Sequence, residues 1–198
     1  MIPSSDDSDA EQRLRERAIR AIIVNENIIQ AARRIKLLIL DVDGVMTSGG
    51  IILDNEGNEF KSFHVRDGQG IKLLRDNGIN VAILTGRLSK VVDRRAAELG
   101  IVDVFQCRSS KLGAYEELKA KYGLSDDEIA CVGDDLADLP LLVRGGLPVS
   151  VPEAGIEVKN RAMLVTKAGG GRGAVREVCE IILKAKGLWD SLIEDLCR

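Results

Sequence analysis

Asp41 and Asp43 stand two positions apart, where the apolar run Leu37-Leu38-Ile39-Leu40 meets the turn Gly44-Val45-Met46-Thr47. Two carboxylates this close suit phosphoryl transfer. One attacks phosphorus and becomes an acyl phosphate. The other protonates the departing alkoxide and later deprotonates the water that hydrolyses the intermediate. Asp41, at the end of the apolar run, is the candidate nucleophile, and Asp43 the candidate acid and base. Two carboxylates and a phosphate dianion repel one another. A hard divalent cation held by oxygen ligands removes that repulsion, and magnesium fits. Asp-Gly is also an ordinary turn dipeptide, so this motif alone leaves a structural reading open.

Downstream signals arrive in an order that fits the same chemistry. Thr85 and Gly86 close the apolar segment 80–84. A hydroxyl and a free backbone N–H there can hold phosphate oxygens, although a plain strand-to-helix turn has the same local pattern. Lys111 follows Ser109-Ser110 at the start of a helical segment and can neutralise phosphoryl oxygens, aided by the helix N-terminus. Asp134 follows the apolar segment 129–132 and can complete a cation cage with Asp41 and Asp43. Asp135 and Asp138 are placed to orient the metal shell or Lys111. The Arg66-Asp67-Gly68 segment, Arg87 and Arg172 are candidates for gripping an anionic substrate, because guanidinium binds carboxylates bidentately. Arg172 lies in a glycine run that lets backbone approach a ligand closely. For each arginine a solvated surface charge is the plain alternative. His64, the one histidine, reads as structural.

The elements that must carry these residues follow from periodicity and turn signals. Residues 1–8 read as disordered, and 9–34 as an amphipathic helix that docks on the rest or binds a partner. Strands are predicted at 36–42, 80–84, 102–105, 129–132, 148–151 and 162–166. Helices are predicted at 67–77, 89–99, 111–122, 153–160 and 174–186, with another running from the Gly133 turn to about 144, and 189–196 forms a short tail helix or a packed end. Segments 50–53 and 58–65 form a hairpin around Asn55-Glu56-Gly57. Ser125 with Glu128 reads as a capping box. This alternation predicts an α/β fold, a doubly wound parallel sheet with a β-hairpin insertion and helices on both faces. Ligands bind such sheets at the carboxyl ends of strands, where the principal candidates fall. Residues 26–198 make one domain, and 1–25 an N-terminal extension, partly helical or disordered.

Composition narrows the function class. The 198 residues carry a formal net charge of −3, with 45% hydrophobic and 3% aromatic residues. That charge and the lack of aromatic platforms argue against a nucleic-acid partner. No apolar run is long enough to span a membrane, and the N-terminus is acidic where a secretory signal is basic. The cysteines (107, 131, 179 and 197) form no C-x-x-C pair, which argues against a zinc site. Cys131 and Cys179 read as small buried hydrophobes. We expect a cytoplasmic protein.

The set Asp41-Val42-Asp43-Gly44-Val45, Thr85-Gly86-Arg87, Lys111 and Gly133-Asp134-Asp135 with Asp138 resembles the haloacid dehalogenase-like phosphohydrolases. An acidic residue at position 43 marks the phosphatases of that family. The likeness is greatest to capless members acting on an eight-carbon keto-sugar acid 8-phosphate. It rests further on Val65-Arg66-Asp67-Gly68 and Gly170-Gly171-Arg172-Gly173-Ala174-Val175-Arg176-Glu177, and it covers about residues 28–186. The resemblance implies a Rossmann-like fold without a cap domain. It implies magnesium held by the Asp41 and Asp134 side chains and the Asp43 main-chain carbonyl. It also implies a homotetramer built through the hairpin and a role in lipopolysaccharide biosynthesis. His64 and Gln69 depart from the pattern, where asparagine and an aromatic residue are usual, and they weaken the sugar assignment. Phosphatases of nine-carbon keto-sugar acid 9-phosphates are the near alternative, but that branch tends to serine in place of Gly68. A phosphorelay receiver module is a distant alternative, since receivers place their acidic pair and acceptor aspartate on different strands.

Overall fold

A computed structural model of the chain describes residues 26–107 and 110–197. The expectations for residues 1–25 and for Ser109 lie outside the described residues.

The centre of the molecule is β1 (Leu37–Leu40), with every residue buried. It pairs in parallel with β4 (Asn80–Leu84) on one side and β6 (Ile129–Gly133) on the other, so that Leu40 lies level with Ile83 and Val132. With β5 (Asp103–Phe105), β7 (Leu147–Ser150) and β8 (Leu164–Val165) they form one six-stranded sheet in the order β5-β4-β1-β6-β7-β8. All its pairings are parallel. The doubly wound parallel sheet expected from the sequence is therefore the observed architecture.

Side chains on β1 alternate between two cores, as the two-residue period of a strand requires. Leu38 and Leu40 join one core with Ile71, Leu74, Val178 and Ile182. Leu37 and Ile39 join the other with Tyr115, Leu118 and Leu141. The first core belongs to a helical segment at 26–34 (α1), α2 (Val65–Asp76), α3 (Lys90–Leu99) and α7 (Ala174–Ala185). The second belongs to α4 (Lys111–Tyr122), α5 (Leu139–Leu142) and α6 (Ile156–Lys159). Helix α8 (Trp189–Leu196) follows α7. Cys131 and Cys179 are buried in these cores, as expected.

Strand and helix identities follow the expectations, and their lengths differ where side chains compete for the backbone. The helix expected after Gly133 is a turn of 3-10 helix at Leu136–Asp138 followed by the short α5. Asp135 and Asp138 form a capping box there, and Pro140 sits in the first turn of α5. The predicted helix at 153–160 contracts to α6. The hairpin is also shorter than predicted: β2 (Ile52–Leu53) and β3 (Glu59–Phe60) share only two paired positions. It forms a separate small sheet beside the carboxyl end of the main one. Ser125 and Glu128 do form their capping box.

Candidate active site

Asp41 is the first residue beyond β1, and its N–H still donates to Val132 O at 3.1 Å, so the ladder fixes its backbone. Lys111, the first residue of α4, points back across the sheet end. Its buried Nζ donates to Asp41 Oδ1 at 2.7 Å and to Asp138 Oδ1 at 2.6 Å. The other Asp138 oxygen accepts the backbone N–H groups of Asp134 at 3.1 Å and Asp135 at 3.2 Å. Both Asp138 oxygens are thus occupied, and this side chain anchors Lys111. Asp134, just beyond β6, has a buried Oδ1 without a hydrogen-bond partner.

Carboxylate oxygens of Asp41, Asp134 and Asp138 come within 4.8 Å of one another. Burial, then the charge of Asp138, pushes Asp41 up to about 6, although Lys111 opposes the shift. Burial, then Asp41, Asp138 and Asp135, pushes Asp134 up to about 7. Burial works against the Lys111 ammonium, yet its two carboxylate partners outweigh it and its pKa is raised. Three carboxylates crowded against one lysine leave negative charge uncompensated. The hard oxygen donors and the orphaned Asp134 oxygen fit a divalent cation between Asp41 and Asp134.

The turn after Asp41 is shaped by close approach. Gly44 has φ +95°, and a Cβ on it would lie 1.9 Å from Asp134 Oδ2, so only glycine fits. The glycine loop before α7 lies directly on this turn. A Cβ on Gly170 would come 1.7 Å from Gly44 O, and Gly171 N–H donates to Val45 O at 2.9 Å. Arg172 is thereby carried to a pocket of about 120 Å³ shared with Ser48, Gly49, Asp134 and Glu153.

Known proteins share both sequence and fold with this chain. Residues 63–146 match the haloacid dehalogenase-like hydrolase family. Over 167 residues the chain is 47% identical to the 3-deoxy-D-manno-octulosonate 8-phosphate phosphatase of Escherichia coli strain K12, covering 84% of this chain and 89% of that protein. The chain belongs to the haloacid dehalogenase-like hydrolases. Within this family, the crystal structure of the octulosonate 8-phosphate phosphatase of Yersinia pestis has a TM-score of 0.82 and 47% identity, covering 83% of this chain and 89% of that one. The Moraxella catarrhalis enzyme, solved with magnesium, phosphate and the octulosonate sugar, has a TM-score of 0.84 and 44% identity. It covers 85% of this chain and 97% of that one.

Within this hydrolase fold, the remaining candidates separate into groups. Thr85 is buried just beyond β4, and Gly86 beside it is exposed, with open space where a Cβ would stand. Arg87 reaches toward Asp43, with Nη1 3.7 Å from Asp43 Oδ2. Arg66 and Arg172 meet at a second pocket of about 230 Å³ that also contains Arg176, next to the first. Asp135 is exposed and serves as a helix cap. Gly68 is not brought into this cluster. It is buried against α3, where a Cβ would lie 2.4 Å from Arg95 Nη2 and 3.1 Å from Leu99 Cδ2.

Sequence reasoning missed two charged residues near this site, Glu153 and Lys61, and named Asp67 only as part of the segment Arg66-Asp67-Gly68. Glu153 borders the first pocket. Asp67 is buried, and its Oδ1 accepts Arg176 N–H at 2.8 Å, tying α2 to the start of α7 below the Arg172 loop. Burial raises the pKa of Asp67, and the Arg176 N–H opposes the shift. Lys61, just beyond β3, contacts Asp43. The signal for Lys61 was the alternation Glu59-Phe60-Lys61, charged, apolar and charged, which aims both charges to one side of a strand.

Proposed function

We propose that the chain is a magnesium-dependent phosphatase that hydrolyses 3-deoxy-D-manno-octulosonate 8-phosphate to the free sugar acid and phosphate, in lipopolysaccharide biosynthesis. The observation that carries the reaction is the Asp41–Lys111–Asp138 chain at the sheet's carboxyl end, beside Asp134 with its unpartnered oxygen. The kinship to octulosonate phosphatases over most of their length carries the substrate.

In this reading Asp41 Oδ2 attacks phosphorus, since Lys111 occupies Oδ1. The P–O bond to the sugar breaks and an aspartyl-phosphate forms. Asp43 gives its proton to the departing sugar oxygen, then takes one from the water that cleaves the acyl phosphate. Lys111, the Thr85 hydroxyl and the Gly86 N–H hold the phosphoryl oxygens. Lys111 also keeps Asp41 ionised despite its burial. Asp41, Asp134 and the Asp43 carbonyl hold magnesium, which neutralises charge between nucleophile and phosphate. Asp138 positions Lys111. Asp135 caps the helix beside it. Arg87 beside Asp43, Arg172 in the pocket with Asp134, and Arg66, which shares the second pocket with Arg172, take the sugar-acid end of the substrate.

The same proposal extends to assembly and place. Ile52, Leu53 and Phe60 of the hairpin are exposed together, an apolar surface of the kind that marks an interface. This supports a homotetramer in which hairpins pack on neighbouring subunits. We place the enzyme in the cytoplasm, which the unpaired state of all four cysteines supports. No described helix is long and apolar enough to cross a membrane.

The test is phosphate release from 3-deoxy-D-manno-octulosonate 8-phosphate and from a nine-carbon keto-sugar acid 9-phosphate, side by side, with and without magnesium. Magnesium-dependent preference for the eight-carbon ester is the expected result. Preference for the nine-carbon ester keeps the mechanism and overturns the substrate. Release from neither overturns both.

A further inference from the structure

The hairpin points its two charged side chains inward. Phe60 of β3 faces outward and is 54% exposed, so by strand alternation Glu59 and Lys61 face the site. The Lys61 side chain is only 2% exposed. Its Nζ lies 2.5 Å from Asp43 Oδ1 and 3.2 Å from Glu59 Oε1. Glu59 Oε1 also takes Arg87 Nη2 at 3.1 Å. The Ser89 hydroxyl donates to Glu59 Oε2, and Ser89 is the N-cap of α3, where its Oγ accepts Val92 N–H at 3.3 Å. A continuous chain of bonds thus runs from the cap of α3, through the hairpin, to Asp43.

Burying an ammonium is expensive, and a buried ion pair is weak evidence for stability in itself. This one lies against the second carboxylate of the reactive pair. Among the described residues, Lys61 and Arg87 are the side chains that reach the Asp43 carboxylate. Lys61 takes one oxygen within bonding distance, and Arg87 stands farther from the other.

We propose that Lys61 is the positioning residue of Asp43, with Glu59 holding Lys61 in place. Lys61 occupies Asp43 Oδ1, so the proton that Asp43 exchanges sits on Oδ2. That proton passes from Oδ2 to the sugar oxygen as the P–O bond breaks, and a proton from water returns to Oδ2 in the second step. Lys61 touches neither substrate nor phosphorus. It fixes the rotamer of the group that does. The inference rests on the acid–base reading of Asp43.

The experiment compares wild type, Lys61→Met, Lys61→Arg, Glu59→Gln and Asp43→Asn on two esters. One is the sugar 8-phosphate, whose alkoxide needs a proton to leave. The other is p-nitrophenyl phosphate, whose nitrophenolate leaves without one. Lys61→Met is expected to lower kcat on the sugar ester about tenfold to a hundredfold, the scale of a misplaced catalytic group. KM should stay within about threefold, because the lost contact is not a substrate contact. On p-nitrophenyl phosphate the first turnover stays near wild type, and the slowed second step produces a burst of nitrophenolate, one per active site. Lys61→Arg restores most of the activity. Glu59→Gln gives the same pattern with a smaller loss, and serves if Lys61→Met fails to fold. Wild-type kcat on the sugar ester in both Lys61→Met and Glu59→Gln overturns the proposal, as does an equal first-turnover loss on the two esters. If Asp43→Asn loses equally in the first turnover of both, the acid–base reading of Asp43 falls and takes the proposal with it. If Asp43→Asn discriminates between the esters and Lys61→Met does not, only the Lys61 inference falls.

Discussion

Asp41 and Asp43 are two residues apart, yet they are held by different parts of the molecule. Asp41 belongs to the sheet. Its strand is wholly buried, its backbone is tied to β6, and its side chain meets a lysine that Asp138 fixes from behind. Asp43 depends on a hairpin with two paired positions, whose outer side chains Ile52 and Phe60 are more than half exposed. Asp41 is therefore as rigid as the fold, whereas Asp43 is as well placed as the hairpin. A short two-stranded ribbon is marginal alone, so packing of its apolar side is part of what orders Asp43.

The sheet half breaks most completely at Asp41. Asp41→Asn keeps the shape and removes the nucleophile. Turnover should fall by about 10⁴-fold or more, with an unchanged circular dichroism spectrum. Near-normal phosphate release would end the nucleophile assignment. Lys111→Met comes next, because it leaves two buried carboxylates unpaired. We expect about 3 kcal/mol less stability in denaturant unfolding, the usual cost of stripping one partner from a buried pair, together with a large loss of kcat. An unaltered unfolding midpoint would contradict the bonding described for Lys111. Gly170→Ala sharpens the contrast from the loop side. Its methyl group must displace the Gly44 carbonyl, at a cost of about 1–3 kcal/mol, and activity should fall with it because Gly44 adjoins Asp134.

Cation binding should register in the sheet half as a pH-dependent stabilisation. Asp41 and Asp134 are raised to about 6 and about 7, above the ordinary carboxylate value of about 4 in the unfolded chain. Between these values the folded, cation-free chain holds more protons than the unfolded one. These two groups therefore make stability fall as pH rises through that window. Magnesium competes with those protons, so its stabilising effect should grow over the same range. At a hundredfold excess over Kd it amounts to about 2.7 kcal/mol, or about 5–10 °C in Tm for a chain of this size. Thermal scans at pH 5 and pH 8, with and without magnesium, check this. An equal shift at both values would count against carboxylate ligands.

The smallest expected effect on the isolated chain lies in the hairpin. Phe60→Ser removes exposed apolar surface, so Tm should change little at a concentration where the wild type is monomeric. In light scattering, however, the tetramer should give way to smaller species. A tetramer of undiminished mass would remove the hairpin from the interface.

How much of this was legible in the sequence follows the same division. The sheet half was readable because each of its groups follows a buried apolar segment: Asp41 after β1, Thr85 after β4, Asp134 after β6. Such runs leave a strong pattern. Lys111 was readable only in combination with the others. Lys61 and Glu59 lie in a ribbon of two paired positions, where the three-residue alternation Glu59-Phe60-Lys61 is a weak signal by itself, and their partners lie 18 and 30 residues away in sequence. Gly68 stands apart from this cluster. Its place in an Arg-Asp-Gly segment suggested substrate contact, while a Cβ on it would meet Arg95 and Leu99 of α3. The contraction of the helix after Gly133 came from side-chain capping by Asp135 and Asp138, which helix periodicity does not register.

The most direct test of the central claim is a rapid acid quench of the wild-type enzyme during turnover of 3-deoxy-D-manno-octulosonate 8-phosphate with magnesium, followed by peptide mass mapping. The account predicts a phosphorylated peptide with the phosphoryl group on Asp41, absent in Asp41→Asn. Turnover with no phosphorylated peptide, or with the label on another residue, would contradict it.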